Sequence, residues 1–243
     1  MNPWVVGGLM VIVVFACIVA GVIAYPMLPD LVVSHWNAVG EANGVMGRFW
    51  GVFMMPLIMT ALVGVWALLP VIDPITPGFK GFRHIYDFSF FLIIAFFAYV
   101  YALILGVNLG LEFSVFKMSM PAYAILTFVI GALMPRFKRN WFFGIRTPWT
   151  IPSDDIWNKT HRLGSWLFMI AGLFIFAGTF VSPEVALWFM LVPLLSSVLI
   201  CVVYSYMLFR AGGGSSQDNN QAQHNSPHTP HTPHTPHPSP LLH

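Results

Sequence analysis

Residues 88–111 read FSFFLIIAFFAYVYALILGVNLGL. No acidic, basic or histidine side chain interrupts this run, and it exceeds the roughly 20 apolar residues that a helix needs to cross a bilayer. The same pattern recurs at Trp4–Tyr25, Phe49–Val71, Met118–Met134, Leu163–Val181 and Val185–Phe209. Met118–Met134 is the shortest run, and its Pro121 stands near the start, where a proline costs a helix least.

Composition agrees. Hydrophobic residues make up 57% of the chain and charged residues 8%, against about a quarter charged in a soluble domain. So few charges cannot cover a water-facing surface. The expected fold class is therefore an all-α integral membrane protein, a bundle of about six transmembrane helices with a disordered C-terminal tail. Four or five spans would require one run to be re-entrant. The first run lacks a basic leader and is too long for a signal-peptide core, so it reads as a span.

The basic residues orient the bundle. With the N-terminus on one side, that side collects Lys80, Arg83, Arg136, Lys138, Arg139, Arg146, Lys159, Arg162 and Arg210, and the other only Arg48 and Lys117. The positive-inside rule makes the richer side the cytoplasm. Both termini are then cytoplasmic in a plasma-membrane protein. Cys17 and Cys201 each fall inside a span and read as small apolar fillers. No disulfide framework, metal pattern or cofactor is expected, and no direct contact with nucleic acid.

Three segments organise the chain: 1–72 with two spans and an outer loop, 73–210 with four spans, and the tail 211–243. The tail opens AGGGSSQDNNQAQ, a linker composition, and ends in Pro-His-Thr repeats that favour extended structure. Its histidines (224, 228, 231, 234, 237 and 243) are weak transition-metal ligands at most.

Two loops are not generic. The fourth contains GIRTPWTIPSDDIWNKTHR at residues 144–162. Gly144 marks a tight change of direction, and Pro148 biases Thr147 toward an extended backbone. Ser153 is a good N-cap, with Asp154 and Asp155 complementing the dipole of a helix that starts near Asp154. This helix is expected to run into the fifth span, with a bend at Gly164. Trp157 and His161 share one face at i,i+4, as do Asp155 with Lys159 and Asn158 with Arg162. Arg146 is expected to reach Asp154 or Asp155 and close the loop. Trp149, Trp157 and Arg162 have the character of interface anchors.

The outer loop, YPMLPDLVVSHWNAVGEANGVMGR, follows the first span. Pro26 and Pro29 end the helix, and turns are expected at Gly40 and at Asn43-Gly44. His35, Asn37 and Glu41 form a candidate polar patch beside Trp36. Asp30, His35 and Glu41 match no metal spacing.

GIRTPWT followed by WNKTHRLG resembles the signature of the SdpI family of bacterial and archaeal membrane proteins. LPDLVVSHWNAVGEANG resembles the pattern of an N-terminal domain that often precedes the SdpI module. The resemblance implies a multi-spanning plasma-membrane protein. It further implies immunity to a secreted peptide toxin met on the outer face, and recruitment of a cytoplasmic repressor when toxin is present. The signature residues carried over are Gly144, Arg146, Thr147, Pro148, Trp149, Trp157, Lys159, Thr160, His161 and Arg162, joined on the outer face by His35 and Asn37. The alternatives are a passive channel or transporter and, less favoured, a membrane enzyme with His161 or His35 as base. The spans carry no ionisable residue to mark a proton path, and no catalytic motif accompanies either histidine. The expectation is a protein without enzymatic activity.

Overall fold

The computed structural model describes residues 2–37, 39–76 and 79–224, with side chains described as far as Gly212. Its helices are α1 (Pro3–Ala24), α2 (Arg48–Ile72), α3 (Arg83–Asn108), α4 (Val115–Leu133), α5 (Asp154–Gly178) and α6 (Pro183–His224). Among the described residues, these six are long and apolar enough to cross a membrane. Large apolar side chains such as Phe15, Trp166 and Phe180 lie open on the outside of the bundle. That is the distribution expected when the surrounding solvent is lipid.

Packing within the bundle depends on small residues. A methyl group at Gly131 of α4 would come within 2.9 Å of the Met169 backbone nitrogen of α5. One at Gly172 of α5 would come within 2.9 Å of the Phe128 backbone nitrogen of α4. The two helices thus touch backbone to backbone at two levels, the close approach by which membrane helices gain dispersion energy without a hydrophobic drive. α5 also packs on α6, with Gly164 against Cys201. On the other side α1 packs on α2 and α3, with Gly7 against Trp66 and Gly21 against Tyr101. α3 contacts both groups.

The connection between α1 and α2 contains the one β-structure among the described residues. β1 (Leu31–Trp36) and β2 (Ala42–Gly47) form an antiparallel hairpin in which Leu31 faces Gly47, Val33 faces Val45 and Trp36 faces Ala42. The sequence pattern indicated only turns here. Asn37 organises the tip: its Oδ1 accepts from Val39 N at 3.1 Å and Glu41 N at 2.9 Å, and Gly40 takes φ +81°. Asparagine suits such a position because its side chain mimics a backbone turn.

α6 continues past Arg210 through Ala211–His224, into the stretch whose composition reads as a linker. Extending an existing helix adds a hydrogen bond per residue without a new nucleus. The Pro-His-Thr repeats and the remaining tail histidines lie outside the described residues.

Candidate functional site

The GIRTPWT and WNKTHR segments fold onto each other at one end of the bundle. Ser153 caps α5 by accepting from Ile156 N at 3.3 Å, and the helix starts at Asp154. It runs unbroken past Gly164 to Gly178. Its first two turns place Trp157 and His161 in a stack, ring centroids 4.1 Å apart. Both are buried.

His161 is held in one tautomer. Its Nδ1 lies 2.8 Å from the Trp157 carbonyl oxygen, which can only accept, so Nδ1 carries the proton. Nε2 then accepts from Ile145 N at 3.0 Å. The histidine is a bracket between helix and loop. Gly144, beside it, takes φ +115°, and a methyl group there would strike the imidazole. Glycine is needed for both reasons. Trp157 Nε1 donates to the Phe137 carbonyl at 2.8 Å, which ties α5 to the chain leaving α4.

The remaining signature residues divide into buried and open sets. Thr147 and Thr150 are buried and bond each other around a turn, with Thr147 Oγ1 3.4 Å from Ser205 Oγ of α6. Trp149 Nε1 also donates to Ser205 Oγ, and its ring packs on Tyr206 and Phe209. Thr160 is buried. Gly144, Arg146, Pro148, Lys159 and Arg162 are exposed. Lys159 pairs with Asp155 at 2.8 Å.

Two expectations change. Arg146 does not reach Asp154 or Asp155: its Nη1 donates to the Trp141 carbonyl at 2.8 Å. Arg139 takes that place, 2.7 Å from Asp154 and 2.8 Å from the Ile151 carbonyl. It reaches because it stands in the extended segment that runs beside the start of α5. Trp157, expected as an anchor facing a partner, is fully buried, since its indole fills the space under the loop.

Sequence reasoning passed over the second loop, which completes this site. Asp73, just past α2, is buried; its Oδ1 accepts from Ile75 N at 2.9 Å and Thr76 N at 2.7 Å. Its Oδ2 accepts from Trp141 N at 2.7 Å, and Thr76 donates to the Arg139 carbonyl at 2.8 Å. Asn140 is likewise buried, with its amide bonded to the backbone at Lys138, Phe142 and Phe143. Phe79 has φ +52° and stacks on Phe82, and Tyr86 meets Phe143 across the junction. An aspartate two residues before a capped backbone N–H was the available signal for Asp73.

Asp87 was also missed, one residue before the expected start of its span. It is buried, with Oδ1 accepting from Arg83 Nε at 2.7 Å and Trp66 Nε1 at 2.9 Å. The other oxygen, Oδ2, has no partner among the described residues. Arg83 lies 5.2 Å from the Trp66 ring centroid. An ion pair therefore sits within the bundle end, where the apolar runs showed none.

On the opposite end, the hairpin is anchored by two polar side chains. Asn108, the last residue of α3, accepts from Val33 N at 2.7 Å and donates to the Val33 carbonyl at 3.0 Å, as a strand would. Arg48 donates to the Leu28 carbonyl, pairs with Asp30 at 2.8 Å and lies over the Tyr25 ring. His35 is exposed and 2.6 Å from Asn43 Oδ1, while Asn37 holds Glu41 at 3.1 Å. Asp30, His35 and Glu41 are thus engaged with three separate partners.

Residues 136–205 match the model of the SdpI/YfhL protein family, and residues 12–60 match a domain of unknown function, DUF1648. Over residues 136–205 the chain is similar to the SdpI/YfhL family. This match takes in the signature loop, α5 and most of the apolar part of α6, and the DUF1648 match takes in the second half of α1, the hairpin and the first half of α2. The immunity protein SdpI of Bacillus subtilis (strain 168) is 22% identical over 206 residues, covering 84% of this chain and 96% of that protein. No solved structure matches. The chain is a multi-pass membrane protein with the residues of the SdpI signature gathered at one end of its bundle.

Proposed function

We propose that the protein confers immunity to a membrane-active peptide toxin, which it meets at the hairpin, and relays the toxin's presence to a cytoplasmic regulator at the signature loop. The similarity to an immunity protein over most of both chains supports the first half of this reading. The observation that carries the relay is α3. Its last residue, Asn108, clamps the hairpin, and its first turns pack Tyr86 and Phe90 on Phe143 of the signature loop. A helix of 26 residues spans about 39 Å. One rigid element therefore touches both unusual loops. In this reading the hairpin is outside, both termini are inside, and residues 1–72 and 73–210 act as receiving and relaying parts.

The surface offered to a regulator is the exposed rim of Arg146, Pro148, Lys159 and Arg162, with half-buried Trp149 at its edge. Thr147, Trp157, Thr160 and His161 hold that rim in shape from beneath, and Gly144 lets the chain turn over them. On the opposite face His35 leads the exposed patch, and Asn37 fixes the tip on which it stands.

The test is survival. A toxin-sensitive host expressing the chain, challenged with the membrane-active peptides that its source cells secrete, should outgrow the vector control. Asn108→Leu should lose protection. Arg146→Gln with Arg162→Gln should keep protection but lose membrane recruitment of the regulator. Survival equal to the vector control, at matched membrane levels of the protein, would overturn the proposal.

A further inference from the structure

We infer that the cleft between the second and fourth loops binds a phosphate group, supplied by the headgroup of an anionic phospholipid. The cleft has a volume of about 480 Å³ and is lined by Ile75, Thr76, Lys80, Lys138, Arg139, Asp154 and Asn158. That size suits a small polar ligand, since binding clefts run to about 300–1,000 Å³. Its other two sides are the polar ends of helices: Asp73 closes α2 beside it, and Asp154 opens α5.

Charge decides the ligand class. Three cations and one carboxylate face the cleft. Asp154 is taken by Arg139 at 2.7 Å, so that pair carries no net charge toward a ligand. Lys80 and Lys138 remain, and among the described residues neither has a carboxylate partner. Two lysines that line one cleft without a carboxylate partner attract an anion, and lysine binds phosphate well as a point charge. The Thr76 hydroxyl already donates to Arg139 O, so the lysines, the Asn158 amide and the Arg139 N–H groups not used on Asp154 and Ile151 are the donors left for it.

Location decides the source. The cleft lies just beyond the ends of α2, α4 and the start of α5, all at one membrane surface, and Trp141 beside it is half-exposed as headgroup-level tryptophans are. The walls of the cleft are themselves fixed, by the Asp73 bond to Trp141 and the Thr76 bond to Arg139. A phosphate seated there bridges Lys80 of one loop and Lys138 of the other. It adds a third tie between loops that are already bonded twice. This inference uses neither the toxin nor the regulator, and holds whichever membrane face is cytoplasmic.

The test is native mass spectrometry of the full chain in detergent with phosphatidylglycerol, phosphatidylcholine or inorganic phosphate added. Phosphatidylglycerol should be retained over phosphatidylcholine. Lys80→Gln with Lys138→Gln should weaken its binding roughly 30-fold, about 5-fold for each cation lost. Arg136→Gln with Arg210→Gln, which removes two exposed charges outside the cleft, should change it by less than about 3-fold. Displacement of the lipid by millimolar inorganic phosphate would identify free phosphate as a second source for the same site, whereas persistence of the lipid assigns the site to the headgroup alone. Equal retention of phosphatidylcholine, undiminished binding by the lysine variant, or an equal loss in the arginine control would overturn the inference.

Discussion

Asp73 illustrates how one carboxylate can serve two loops with separate oxygens. Oδ1 closes its own turn and Oδ2 holds Trp141 N across the gap. Asp73→Asn keeps the first oxygen and sets an amide N–H₂ against the Trp141 N–H, two donors facing each other. A buried donor without an acceptor costs about 1–3 kcal/mol, so thermal unfolding in detergent should show this loss, and Asp73→Glu, which keeps a carboxylate, should lose less. Ser153→Ala should cost about 1 kcal/mol, the usual value of an N-cap, and should leave the distant hairpin unaffected. Ser153 was legible in the sequence because capping is local: the residue, the acidic first turn and the helix are contiguous. Asp73 was not, because its second partner is far along the chain and no periodicity links them. His161 lies between these cases. Its i,i+4 stack on Trp157 follows from helical spacing, but its bond to Ile145 N depends on how the loop folds back.

The helices could be read almost entirely from apolar runs, since a span in lipid needs only length and composition. Their ends were less legible. α3 begins at Arg83, so Asp87 belongs to the helix and is buried against Trp66. The hairpin escaped the sequence reading for a different reason. ANGVMG is a poor strand by propensity, rich in glycine and asparagine, and its partner strand is steadied by Asn108 from another element. Helix packing offers a direct check. Gly131→Leu and Gly172→Leu each force a side chain into a backbone contact and should sharply reduce the yield of folded protein. Gly8→Leu and Gly64→Leu, where nothing lies within 4 Å, should be tolerated. Equal yields from all four variants would show that the α4–α5 approach does not hold the bundle.

The described residues hold six helices long and apolar enough to cross a membrane; six crossings, an even number, would put the two ends of the bundle's chain on one side and the hairpin opposite the signature loop. Asn43→Cys on the hairpin and Asp155→Cys at the start of α5 should react with a membrane-impermeant thiol reagent from opposite sides of intact cells. Asn43→Cys should label from outside, as the distribution of basic residues requires. Both native cysteines are buried and should give little background. Labelling of Asp155→Cys from outside would invert the molecule and move the proposed toxin and regulator surfaces with it. Charge counting supplies this orientation as an expectation, and the labelling experiment tests it. The union of the second and fourth loops into one surface was not legible, because it rests on hydrogen bonds between segments more than sixty residues apart.

The glycine contacts between α4 and α5 also bear on how the protein is made. These are the two least apolar of the six spans, and α5 enters the bilayer behind Asp154, Asp155, Lys159, His161 and Arg162. Neither partitions into lipid as strongly as its neighbours when it leaves the translocon. Their backbone-to-backbone fit means that each is the other's best solvent. A nascent chain stalled on the ribosome after α4 should therefore integrate poorly, and one stalled after α5 should integrate both helices together.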